Sequence, residues 1–265
     1  MVVQAMPARL LPARSTPILK LNATLVGRDD LSGEMSLLRV RPDDGVPSFR
    51  PGQYFALGLW IEGRLVQRPY SAASTSAAAG ELEFLVRLLP GGELTPHLWT
   101  LSVGARLRIG PPKGLFGLTP DDERTHLFIS TGTGLAPFVA MVDQLRQRRH
   151  APRIVLVHGA SHVAELAFRE RLEAQADLRS ISYVPAISRP DDPRNAGWPG
   201  ATGRLETVLP DVWEQLRLDP SATVAYLCGS PGMIESGRRV LADQGMALGS
   251  IRSEEYWSTG AAARA

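Results

Sequence analysis

Up to about residue 118 the chain runs in short apolar segments, each broken within a few residues by Gly, Pro or Asp. Lys20–Val26, Met35–Arg41, Tyr54–Trp60, Leu65–Ala72, Leu82–Leu88 and Ala105–Ile109 have the apolar, β-branched and aromatic content of strands. Turn signals (DDLSGE, PDDG, RPGQ, IEGR, PGGE, PPKG) separate them at intervals of roughly 8–12 residues, the rhythm of an antiparallel barrel. One short helix is predicted at Thr95–Leu101, with Pro96 in its first turn. After Pro120 apolar runs alternate with longer amphipathic stretches. Strands are predicted at Thr125–Ser130, Arg153–His158, Ser180–Ala186, Thr223–Cys228 and Ser250–Trp257. Helices are predicted at Leu135–Gln147, Ala164–Gln175, Leu205–Leu216 and Pro231–Gln244. This alternation predicts a Rossmann-like parallel sheet flanked by helices on both faces. The expected divisions are a loose leader (1–17), a barrel (18–118), an α/β unit (119–257) and a tail (258–265).

Composition narrows the classes. Hydrophobic residues make up 44% and charged residues 21%, a globular balance. No apolar stretch reaches the roughly 18 residues of a membrane span, so no membrane partner is expected. The N-terminus has arginines but neither a sustained apolar core nor a cleavage site, which argues against a secretory signal and for a cytoplasmic location. Cys228 is the one cysteine, so no intramolecular disulfide forms. An iron–sulfur cluster needs about four thiolates, or two with two histidines. Electron transfer within these residues would therefore use an organic cofactor, and no metal site is expected. Net charge is +2 and the pI about 8.9, carried almost wholly by arginine, since Lys20 and Lys113 are the only lysines. Arginine suits bidentate recognition of phosphates and carboxylates. No basic run with interleaved aromatics and no finger or helix-turn-helix signature is present, so nucleic acid is not an expected partner.

Five short constellations could carry chemistry. Arg68-Pro69-Tyr70-Ser71 ends a predicted strand, and alternation sends Arg68 and Tyr70 to one face. A guanidinium, an aromatic ring and a hydroxyl there could grip a pyrophosphate, stack on a ring system and bond a ring nitrogen. Gly91-Gly92-Glu93-Leu94-Thr95-Pro96 leads into the short helix, whose first N–H groups could meet an anion. Ser130-Thr131-Gly132-Thr133-Gly134-Leu135-Ala136-Pro137 joins a strand to a helix, but Pro137 stands where a dinucleotide fingerprint has its third glycine. Cys228-Gly229-Ser230-Pro231-Gly232-Met233 is a second such junction, and Glu254-Glu255-Tyr256-Trp257 lies near the C-terminus. Singly, each has a plain alternative: a strand end, a β-turn, a capped helix, a small buried cysteine, a packing tryptophan.

In this order the five resemble the ferredoxin–NADP reductase family, and its bacterial flavodoxin/ferredoxin reductase branch, over about residues 18–257. The resemblance implies FAD in the barrel half and NADP in the α/β half. It implies Arg68 on the pyrophosphate, Tyr70 stacked on the isoalloxazine after Pro69, and Ser71 near the flavin N5. Leu85, Val86 and Arg87, with Glu93, Leu94 and Thr95, would cradle the rest of FAD. Thr131, Gly132, Thr133 and Gly134 would form the nicotinamide-nucleotide loop, Thr133 also touching the flavin. Cys228, Gly229, Ser230 and Pro231 would lie beside the nicotinamide. Glu254 would join Ser71 and Cys228 at the reacting centre, under a covering Trp257. Ala160, Ser161, Ser188, Arg189 and Arg204 would face the adenosine end, the two arginines on the 2′-phosphate. Two departures stand out. Ser161 occupies a position where relatives often carry a further phosphate-binding Arg, which leaves NADH as an alternative coenzyme. Eight residues, STGAAARA, follow Trp257, where close relatives end near the aromatic.

The implied activity is electron transfer between NADPH and a ferredoxin or flavodoxin, by a monomer. Such carriers are acidic, and Arg146, Arg148 and Arg149 are candidate contacts. A reductase component serving an oxygenase is the alternative, and a non-catalytic nucleotide-binding protein a second.

Overall fold

A computed structural model describes residues 20–75, 80–176 and 181–256. The expectations for the leader, the tail and Trp257 lie outside the described residues. The first half forms six antiparallel strands: β1 (Ala23–Asp30), β2 (Met35–Pro42), β3 (Tyr54–Ile61), β4 (Arg64–Ser71), β5 (Leu82–Arg87) and β6 (Arg106–Ile109). Helix α1 (Thr95–Trp99) sits between the last two. The order is β4-β3-β6-β1-β2-β5. Its outer strands meet where Ala72 bridges Phe84 and the Ala73 N–H donates to the Glu83 carbonyl at 2.8 Å, which closes the sheet into a barrel. Inward residues of alternate positions fill it. Phe55 packs edge-on against Phe49 at 5.1 Å and Phe84 at 6.0 Å, beside Leu25, Val40, Leu57 and Leu107.

The second half contains β7 (Thr125–Thr131), α2 (Ala136–Arg146), β8 (Ile154–Ala160), α3 (Arg169–Ala176), β9 (Ile181–Ile187) and β10 (Ala201–Thr202). It continues with α4 (Leu205–Gln215), β11 (Thr223–Gly229), α5 (Pro231–Asp243) and β12 (Ile251–Glu255). The parallel order is β10-β9-β8-β7-β11-β12. Period-two alternation in β7 sends Phe128 toward α2 and α3, and Leu127 and Ile129 toward α4 and α5, so each face carries its own core. After β7 the chain winds outward through β8, β9 and β10, then returns to place β11 on the other side of β7. That reversal opens a crevice at the carboxyl ends of β7 and β11, where ligands bind in such sheets.

Four predicted elements differ. The helix expected at Ala164–Gln175 is a 3-10 turn at Val163–Glu165 followed by α3. Leu166 and Ala167 turn inward to be buried, and Phe168 adopts φ 57°, which no continuous helix allows. The strand expected through Trp257 ends at Glu255, and α2 begins after a 3-10 turn at Gly132–Leu135. The loop expected at 189–204 holds β10 and a 3-10 turn at Pro193–Asn195. Among the described residues no helix is long and apolar enough to cross a membrane.

Phe128 is fully buried, stacking on Phe138 at 4.9 Å and lying 5.3 Å from Tyr226. Phe128→Ala is expected to cost about 3–5 kcal/mol of stability, read by urea unfolding. A loss under about 1 kcal/mol would show that this layer is not close-packed.

Candidate active site

The crevice encloses about 1600 Å³ between the barrel and the carboxyl edge of the parallel sheet. Two strand-to-helix junctions build its floor. A Cβ on Gly134 would press into the carbonyl oxygen of Cys228, and one on Gly229 would press into Thr131 Oγ1. Gly134 lets one loop touch the main chain of the other, and Gly229 leaves room for the Thr131 hydroxyl, so both positions require glycine. Ser230 caps α5, accepting from the Met233 N–H at 3.4 Å, and Pro231 fits the first turn of that helix.

The barrel wall ends β4 with Arg68, Pro69, Tyr70 and Ser71, all lining the crevice. Arg68 donates to Glu93 Oε2 at 2.7 Å, and Arg64 pairs with the other carboxylate oxygen. Hydrogen bonds from Arg64 and Arg68 hold the Glu93 carboxyl below the usual range. Arg87 donates to Glu165 Oε2 at 3.1 Å, joining the barrel to the turn after β8. Thr95 Oγ1 is engaged by Leu89, accepting from its N–H at 2.9 Å and donating to its carbonyl at 3.1 Å.

Where β4 meets β11 and β12, four polar side chains converge. β11 pairs with β12 so that Cys228 stands opposite Glu254, and the Tyr256 N–H extends the pairing by donating to Gly229 O at 2.8 Å. Ser71 Oγ donates to Glu254 Oε2 at 3.2 Å and accepts from the Tyr256 hydroxyl at 2.6 Å. Burial pushes the Glu254 carboxyl up, outweighing the Ser71 hydrogen bond. Burial, with Glu254 alongside, pushes the Cys228 thiol well up, so the sulfur stays protonated.

At the far end lie Ala160, Ser161, Ser188, Arg189 and Arg204. Among the described residues neither Arg189 nor Arg204 has a carboxylate partner, whereas Arg68 and Arg87 both do. The donor set fits FAD and a nicotinamide dinucleotide: guanidiniums from both the barrel and the sheet, and glycine backbone of Gly132 and Gly229, around a crevice of about 1600 Å³.

Known proteins agree with this geometry. The oxidoreductase FAD-binding domain family matches residues 22–117 and the oxidoreductase NAD-binding domain family residues 128–239. The ferredoxin–NADP reductase of Pseudomonas aeruginosa is 32% identical over 213 residues, covering 76% of this chain and 81% of that protein. The chain belongs to the ferredoxin–NADP reductase family. As such it is a flavin-dependent oxidoreductase with FAD-binding and nicotinamide-nucleotide-binding domains. The anthranilate 1,2-dioxygenase electron transfer component of Acinetobacter baylyi is also 32% identical, over 242 residues that cover 90% of this chain. The chain spans 67% of that component's length and 59% of its toluate 1,2-dioxygenase counterpart from Pseudomonas putida. Among solved structures, the cytochrome P450 reductase GcoB of Amycolatopsis superposes with a TM-score of 0.79 at 27% identity, covering 90% of this chain and 70% of that one.

Within this reductase, most residues singled out from the sequence line the crevice together: Arg68 to Ser71, Leu85, Arg87, Glu93 to Thr95, Thr131 to Thr133, Gly229, Ser230 and Glu254, with the adenosine-end set above. Four do not line it. Val86 alternates into the barrel core, Gly134 lies beneath Cys228, Cys228 is buried in the floor, and Pro231 serves the first turn of α5. Among the lining residues without an assigned role, Tyr256 and Glu165 bond through their side chains to assigned ones, Ser71 and Arg87. Tyr256 sat unremarked beside Trp257, although the same short motif contains it. Glu165 lay inside an expected helix, and no local signal marks its pairing with Arg87.

Glu254 gives a pH test with a defined sign. Below about pH 4 folded and unfolded chains both hold the carboxyl proton. Above it the unfolded chain releases the proton first, so the native state loses stability as pH rises toward the raised folded value. Glu254→Gln is expected to remove that decline, seen as a flatter stability profile above pH 4 in urea titrations. Superimposable profiles would contradict it.

Proposed function

We propose that the protein moves electrons between NADPH and a small one-electron carrier, a ferredoxin or flavodoxin, by way of FAD. The supporting observation is the crevice that joins Arg68–Ser71 of the barrel to the glycine floor of the sheet, with Arg189 and Arg204 at its far end, neither paired with a carboxylate among the described residues. FAD when bound supplies an acceptor for a hydride pair and a donor of single electrons. Arg68 would turn from Glu93 to the flavin pyrophosphate, with Arg87 and the turn at Glu93–Thr95 alongside. Tyr70 would lie on the ring, with Ser71 at its reacting edge. Thr131–Thr133 with Gly229 and Ser230 would hold the nicotinamide half over that edge and exclude water, on the support of Gly134 beneath them and Pro231 in the first turn of α5. Ser71 and Glu254, joined by a hydrogen bond of 3.2 Å, would give and take the proton that accompanies electron transfer. Arg189 and Arg204, with Ser161 and Ser188, would meet the adenosine 2′-phosphate.

A second reading has the same chemistry and a different acceptor: a reductase component serving an oxygenase. The 32% identity to the anthranilate dioxygenase component favours it. A basic surface that includes the exposed end of α2, at Arg146 and Arg149, would speed encounter with an acidic acceptor in either case.

Purified protein is expected to be yellow, to hold FAD, and to bleach with NADPH under anaerobic titration. A colourless protein that refuses supplied FAD ends the proposal. Reduction rates with ferredoxin, flavodoxin and an oxygenase component then separate the two readings. The double substitution Arg189→Ala/Arg204→Ala is expected to raise KM for NADPH by about tenfold or more, with kcat little changed. An equal rise for NADH would remove these arginines from 2′-phosphate recognition.

A further inference from the structure

The connection from β9 to α4 has the Pro, Gly, Asp and Arg content of a solvated loop, yet Asn195 at its centre is 2% exposed. Its Nδ2 donates to the Ser161 carbonyl at 3.0 Å and to the Arg189 carbonyl at 2.7 Å, and its Oδ1 accepts from the Val163 N–H at 2.9 Å. One side chain thus ties the loop after β8 to the loop after β9, through main-chain groups of the two residues whose side chains line the crevice. Neighbouring contacts brace the same junction. His162 lies between Glu165 Oε1 at 3.3 Å and Asp192 Oδ2 at 3.2 Å. Trp198 Nε1 donates to the Ala201 carbonyl at 2.9 Å and packs on Ala160, Leu166 and Ile187, with the Arg169 guanidinium 4.8 Å from its ring.

Among the described residues Arg189 has no side-chain hydrogen bond or ion pair, and the group of it that is held is its main-chain carbonyl. We infer that Asn195 is a positioning residue: it sets the spacing between Ser161 and Arg189, and with it the discrimination between 2′-phosphorylated and unphosphorylated adenosine. The inference rests on the coenzyme reading given above. A phosphate gripped from two separate loops gains from their being fixed beforehand, because ordering them at binding would subtract from affinity. Asn195 touches only protein, so its effect on the ligand is geometric.

The test titrates holoenzyme with 2′,5′-ADP and with 5′-AMP by calorimetry, for wild type and Asn195→Ala, alongside KM for NADPH and NADH. Loss of the tie is expected to weaken 2′,5′-ADP about tenfold and 5′-AMP less than about twofold, with KM for NADPH rising in parallel and kcat unchanged. A merely structural role would lower thermal stability and weaken both ligands alike, and that outcome overturns the inference. If Asn195→Ala fails to fold, Asn195→Asp carries the same ratio test, since it keeps the acceptor for Val163 and loses the donor to Ser161 and Arg189. A wild type that binds 2′,5′-ADP no better than 5′-AMP would defeat the coenzyme reading and this inference with it. A wild type that discriminates, paired with a variant that does so equally, defeats the inference alone.

Discussion

Main chain packed on main chain at the reversal of the parallel sheet is the constraint from which the crevice follows. Gly134 lies against the Cys228 carbonyl, and Gly229 against Thr131, so the junctions after β7 and β11 approach more closely than any side chain would permit. Strand order alone would open a gap at this point. The glycine contacts give it a thin floor, while the fully buried Leu127, Phe128 and Ile129 of β7 hold that floor rigid from both faces of the sheet. Rigidity matters because electron transfer through a bound cofactor depends on placement, not on a reactive side chain.

Charge is distributed along the trough in two ways. Near the barrel each guanidinium that faces the crevice already has a carboxylate, Glu93 for Arg68 and Glu165 for Arg87. At the far end, Arg189 and Arg204 have no carboxylate partner among the described residues. Around Ser71, burial raises the Glu254 carboxyl and the Cys228 thiol.

Much of this was legible in the chain because its two halves use different periodicities. Short strands with regular turns and alternating strand–helix units leave distinct marks, and the motifs fell at strand ends where the topology gathers them. Illegible features depended on contacts distant in sequence. Phe168 breaks a helical pattern because Leu166 and Ala167 are drawn into the core. Val86 and Arg87 are adjacent, yet the pleat sends one inward and the other to Glu165. Tyr256 became visible only when the sheet register placed it over Ser71. Asn195 looked like one more loop residue until its three hydrogen bonds were seen.

The core of the α/β half does not stop at its own boundary. Met35, Ala73 and Leu85 from the barrel belong to the same hydrophobic cluster as Phe128, Phe138 and Tyr226, with Leu31 and Phe116 packed at its margin. Barrel and sheet are thus welded by shared apolar surface as well as by the Arg87–Glu165 pair. Swinging them apart would wet that surface at roughly 25 cal/mol for each Å² exposed. Traffic through the crevice must then rely on side chains and short loops turning in place, and a barrel cut free of its neighbour would carry a sticky, greasy scar where the sheet had been.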